Sequence, residues 1–111
     1  MKVSVRTSKK NTKVLTPEQK EALELEAKTI VDEFAANLKQ GVPTADERNQ
    51  VLLQKHFDWA KKSITKNKVE YLNMVKRYST EQANIKALNS IAVGLPAYMK
   101  AVALTYISKI N

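Results

Sequence analysis

The sequence predicts an all-α domain of about five helices packed obliquely around one core. Three observations carry that prediction. Apolar residues recur at three- and four-residue spacing through most of the chain, and no stretch alternates with a period of two for long enough to make a strand. Only two glycines and three prolines occur, and each stands where one helical run gives way to the next. The 111 residues, 43% hydrophobic and 27% charged, suit a single globular core rather than a disordered chain.

Residues 1–14 read as a flexible basic arm, with Lys2, Arg6, Lys9, Lys10 and Lys13 and no acid. The rest, 15–111, reads as one helical domain. Its first helix begins at Thr16 as N-cap, with Pro17 in the first turn and Gln19 completing a capping box. Leu23, Ala27, Ile30, Phe34 and Leu38, widened by Val31, give one apolar stripe, and Gly41 is the expected stop. Thr44 is expected to cap the second helix, with Glu47 as its box partner. That helix presents Val51, Leu52, His56 and Trp59, flanked by Leu53, Phe57, Ala60 and Ile64. Asn67 marks a break. Val69, Leu72 and Val75 beside Tyr71, Met74 and Tyr78 give the third helix two apolar rows. Ser79 with Gln82 predicts a third capping box. Ile85, Leu88, Ile91 and Ala92 line the fourth helix, and Gly94 ends it. Pro96 opens the fifth, whose buried stripe is Met99, Val102, Ala103, Tyr106 and Ile110.

Composition excludes several chemistries. With no cysteine, disulfides, thiolate catalysis and sulfur-ligated metals are ruled out, and the chain suits the cytoplasm without requiring it. One histidine cannot build a zinc site without a carboxylate cluster, and none is visible. There is no phosphate-binding glycine loop and no signature of a nucleophile with its base, so neither a cofactor nor an enzymatic activity is expected. No signal peptide and no transmembrane span are apparent. The net charge of +8 and the cluster Lys61, Lys62, Lys66 and Lys68 leave open an interaction with nucleic acid or an acidic protein, although no helix-turn-helix or base-stacking motif accompanies them. Such binding would weaken steeply with salt.

The stretch "LQKHFDWAKK" holds the only histidine and the only tryptophan, three positions apart and hence on one helix face. His56 reads either as a half-buried core histidine or as the polar wall of a pocket, with a haem ligand as a third reading. Trp59, Tyr71, Met74, Tyr78, Tyr98, Met99 and Tyr106 read either as core or as the lining of a cleft.

The ordered set His56-x-x-Trp59, Tyr71, Met74, Tyr78, Gly94-Leu95, Tyr98 and Tyr106 resembles the TipAS antibiotic-recognition domain. Upstream, "LTPEQKEALELEAKTIVDEFAANLKQGVPTADE" is similar to the family's first helix and its Gly-x-Pro turn, so the resemblance runs from about Ser8 onward. It implies a globin-like helical fold and the ligand-binding role of MerR-type transcriptional regulators, in drug sensing and drug resistance. It also implies an N-terminal part, here residues 1–40, that folds onto the ligand. Where the family commonly shows an acid, an arginine and a phenylalanine after Tyr78, this chain has Glu81, Ala83 and Asn84. Asn73 falls where some members hold a cysteine that captures thiopeptides, so binding is expected to be non-covalent. The DNA-reading domain and its coiled coil are not in the sequence, which implies sequestration by a module, with the monomer as the simplest state. The expected partner is a bulky, largely apolar small molecule or a macrocyclic peptide antibiotic, held in an open cleft between helices. Trp59, Tyr71, Met74, Tyr78 and Met99 are expected as its walls, with His56 and Tyr98 as polar tips.

Overall fold

A computed structural model describes residues 15–62 and 64–111. They form α1 (Pro17–Lys39), α2 (Glu47–Lys61), α3 (Lys68–Arg77), α4 (Gln82–Ile91) and α5 (Leu95–Tyr106), and no strand occurs among the described residues. The all-α prediction holds, with five helices. The arm predicted for 1–14 lies outside the described residues.

α1 starts as its sequence dictates. Gln19 N–H donates to Thr16 Oγ1 at 3.1 Å, and Thr16 N–H donates back to Gln19 Oε1 at 3.0 Å. The helix stops at Gly41, whose φ of 76° few other residues tolerate. Val42 N–H then reaches Asn37 O and Gly41 N–H reaches Leu38 O, the paired bonds of a Schellman ending.

α2 is capped by Asp46, not by the expected Thr44. Asp46 Oδ1 accepts from Arg48 N–H at 2.9 Å. A turn closed by Asp46 N–H to Pro43 O at 3.0 Å consumes Thr44 and Ala45, and Asp46 is the first residue beyond it able to cap. Asn67 caps α3 by accepting from Glu70 N–H at 2.9 Å. The expected Ser79–Gln82 box does not form. The end of α3 runs on as turns through Glu81, and Ser79 Oγ donates to Lys76 O instead, so α4 begins without a side-chain cap. Between α4 and α5 the chain bends by 100° at Gly94, whose φ is 90° and whose N–H donates to Asn89 Oδ1. No single helix among the described residues is long and apolar enough to cross a membrane.

α5 is the centre of the packing and touches each of the other four helices. Its stripe of Met99, Val102, Ala103 and Tyr106, with Ile110 beyond, is buried as expected. Ile30, Phe34 and Ala35 from α1, Leu52, Leu53, Phe57 and Ala60 from α2, and Tyr71, Met74 and Val75 from α3 complete one core. Each large side chain so buried contributes about 1.5–3 kcal/mol. α4 buries no residue fully and covers the core mainly with Leu88. Four residues expected on apolar faces point to water: Val51, Ile64, Val69 and Ile91 are 57%, 51%, 70% and 37% exposed. The period places them beside the core stripe, but neighbouring helices cover only its centre. In α1 only the second half is well buried. Pro17–Ala22 is exposed, and Leu23 and Ala27 are half-buried.

Candidate functional site

α2 and α3 bring four of the expected site residues together. His56 and Trp59, one helical turn apart, stack with ring centres 5.2 Å apart and planes within 8°. Tyr71 meets His56 edge-on at 5.4 Å, Tyr78 lies at 6.1 Å, and Phe34 of α1 closes the remaining side at 6.2 Å. His56 Nδ1 and the Tyr71 hydroxyl share a 2.7 Å hydrogen bond. Burial pushes the His56 pKa down to about 4, keeping the ring neutral near pH 7. It pushes the Tyr71 hydroxyl well above the usual tyrosine range and the Tyr78 hydroxyl up to about 12.

Trp59 does more than pack. Its Nε1–H donates to Leu23 O in the first half of α1 at 2.9 Å, and Lys62 reaches Glu26 one turn further on, also at 2.9 Å. These two contacts fasten that half of α1 across α2.

The other three expected residues are placed differently. Met74 and Met99 are buried in the common core. Tyr98 spends its hydroxyl on the α1–α2 loop: it donates to Val42 O at 2.7 Å and accepts from Asn49 Nδ2 at 2.7 Å. Asn49, fully buried, also donates to Pro43 O and accepts from Asn37 Nδ2, while the Tyr106 hydroxyl donates to Ala45 O. This network clamps the loop onto α5. Sequence reasoning missed Asn49. A buried asparagine within a run of helix formers has no signature of its own.

An open hollow between these rings was the expectation, and in this structure the inner ones are closed off from solvent. His56 and Tyr71 are at most 1% exposed and Met99 is 2% exposed. The open space lies elsewhere, along the seam of α1 and α2. One hollow of about 540 Å³ is lined by Ala22, Leu25, Glu26, Thr29, Ile30, Glu33, Lys55 and Asp58. A second of about 360 Å³ is lined by Glu33, Ala36, Asn37, Arg48, Val51 and Leu52. Glu33 belongs to both, and none of the seven expected site residues lines either one. The lysine cluster is partly engaged: Lys61 sits 4.7 Å over the Phe57 ring and 3.9 Å from Asp58, and Lys62 holds Glu26.

The family model of the TipAS antibiotic-recognition domain matches residues 2–106, nearly the whole chain. The chain belongs to the TipAS family. No curated protein and no solved structure gives a significant match. The family is one of antibiotic or ligand recognition. In this TipAS domain Asn73 is on the exposed side of α3, away from the buried rings. Asn84, at one of the departures from the family pattern, donates to Glu81 Oε1 at 3.0 Å and so helps hold the turn before α4. The seam residues of this TipAS domain escaped sequence reasoning. Each is an ordinary alanine, leucine, threonine or glutamate, and only the pairing of α1 with α2 makes them neighbours. Among the described residues no three His, Asp or Glu side chains converge on a point that could hold a metal.

Proposed function

We propose that this TipAS domain binds a bulky, largely apolar small molecule or macrocyclic peptide antibiotic without forming a covalent bond, and acts as a drug-sensing or drug-sequestering module. The observation that carries the reading is the ring cluster of His56, Trp59, Tyr71 and Tyr78 lying under the edge of a long helix whose first half has little other hold on the body. Family membership supports the class of ligand. When the first half of α1 swings out, the Trp59–Leu23 bond and the Lys62–Glu26 pair break, and the rings become the walls of the cleft. Trp59, Tyr71, Met74, Tyr78 and Met99 supply apolar wall. His56 supplies a neutral imidazole. Tyr98 adds a polar tip only if its hydroxyl leaves Val42 and Asn49. The chain has no cysteine, so capture relies on area removed from water, at about 25 cal/mol per Å² before ordering costs. The role is recognition without catalysis.

The test is a thermal-shift screen of hydrophobic macrocyclic peptides. A ligand present at about 100 times its Kd stabilises the fold by about 2.7 kcal/mol. For a domain of this size that corresponds to a rise in Tm on the order of 10 °C. The reading is overturned if no macrocycle at about 100 µM moves the midpoint.

A further inference from the structure

We propose that the outward side of α4 and α5 docks on an anionic lipid surface, with Val93 and Leu104 entering the interface and Lys86 and Lys100 meeting the headgroups. The inference stands apart from the binding reading above, since none of these residues belongs to the ring cluster.

α5 carries a single charge, Lys100, in 12 residues, and a helix so apolar is ordinarily buried all round. One side of it is nonetheless uncovered. Ala97, Lys100, Ala101, Leu104 and Ser108 follow that side at three- and four-residue spacing, and Leu104 is 52% exposed. α4 turns Ala83, Lys86, Ala87 and Ser90 outward. The two helices meet at a corner bent by 100°, where Val93 is 88% exposed. A Cβ placed on the neighbouring Gly94 would meet nothing within 4 Å, so the corner stands out into open space. Val93 therefore projects from the surface and lines no groove.

The charge of this side has one sign. Every acid of the chain lies between Glu18 and Glu81, whereas residues 82–111 hold Lys86, Lys100 and Lys109 and no acid. The nearest acid along the chain, Glu81, is 3.9 Å from Arg77, which offsets it. Lys86 and Lys100 have no ion pair among the described residues, and Lys109 sits 5.6 Å over the Tyr106 ring. Three occupants suit apolar side chains ringed by lysine, and two fit badly. A second copy docked about a two-fold axis sets lysines against lysines. An acidic partner helix needs a groove to lie in, and a projecting corner offers none. An anionic bilayer needs no matching shape: its headgroups take the lysines, and its interface takes the projecting side chains.

The basic arm can also draw the chain to anionic lipid, so the experiment reads which side touches the lipid as well as whether it binds. The chain has no cysteine, so Val93→Cys gives one thiol for a polarity-sensitive dye, and Asn73→Cys on the exposed side of α3 gives the control. Vesicles of phosphatidylcholine with about 30% phosphatidylserine are added to the full chain in about 100 mM salt. Dye at 93 is expected to shift to the blue and brighten about twofold or more, with dye at 73 unchanged. In vesicle sedimentation Lys86→Gln with Lys100→Gln is expected to weaken binding about fivefold or more, and Val93→Ser with Leu104→Gln about threefold or more. Lys86, Val93 and Leu104 are exposed, so the parent Tm is kept; should Leu104→Gln lower it, Val93→Ser alone is read. An unshifted dye at 93 overturns the inference. So does vesicle binding that all four substitutions leave intact, since the arm then accounts for it. Absence of binding, or equal binding to pure phosphatidylcholine, overturns it as well. A dimer that Leu104→Gln splits, or a leucine–glutamate helical peptide that shifts the dye at 93 where vesicles do not, overturns it in favour of a protein partner.

Discussion

His56 is held neutral by the rings around it, and acid tests that arrangement. Its folded pKa of about 4 lies below the ordinary 6.5 because burial penalises the charged form. Between those values the unfolded chain takes up a proton that the folded chain refuses. The stabilisation is complete above pH 6.5 and is lost as pH falls toward 4. The expected loss over that window is about 3 kcal/mol. Urea midpoints at several pH values should fall steeply for the parent and more gently for His56→Phe, which keeps a ring but has nothing to protonate. Equal slopes would refute the assignment. Thr65 is a second testable position: its buried Oγ1 has no hydrogen-bond partner among the described residues. Thr65→Val keeps the shape and removes the orphaned hydroxyl, and should raise unfolding stability by about 1 kcal/mol.

Helix beginnings show what local chemistry can and cannot specify. Thr16, Pro17 and Gln19 offer one consistent start, and α1 begins there. Before α2 the chain offers two capping residues, Thr44 and Asp46, and a capping-box pattern favours the first. The turn after Pro43 decides for the second, and a turn's closure is not written in a cap motif. Asp46→Ala is accordingly expected to cost about 1 kcal/mol, whereas Thr44→Ala should cost less than about half of that. Denaturant titration of the two variants checks the order. Near α4, Ser79 offers the right spacing to Gln82, but α3 overruns it. The apolar period located the core stripes of α1, α2, α3 and α5 and overstated their width, which is why Val51, Ile64 and Val69 proved exposed; on α4 it also named Ile91, which faces water. Their exposure depends on which helices come alongside, and no single helix encodes that.

Stability is unevenly spread over the molecule. α5 packs against all four other helices, whereas the first half of α1 rests on α2 through the Trp59–Leu23 bond and the Lys62–Glu26 pair. Amide exchange should therefore be faster across Leu23–Ala27 than across Ile30–Leu38. Trp59→Phe, which keeps a ring but loses the bond to Leu23 O, should speed the first set and spare the second. Uniform acceleration would mean that α1 opens as a whole. His56 and Trp59 were legible as a pair because helical spacing fixes neighbours on a face, and the resemblance to the TipAS family is what set Tyr71 and Tyr78 beside them. Whether they enclose space was not legible, because it depends on what α1 covers. The hollows along the α1–α2 seam were illegible for the complementary reason, since their two walls come from separate helices.

Trp59 is the chain's sole tryptophan, and it lies flat against an uncharged imidazole at 5.2 Å. The molecule thereby carries its own optical gauge. Indole emission is dimmed by a charged imidazolium at such range and reddens when water reaches the ring. One fluorescence trace can thus separate a proton arriving on His56, which darkens the signal, from α1 departing, which shifts its colour.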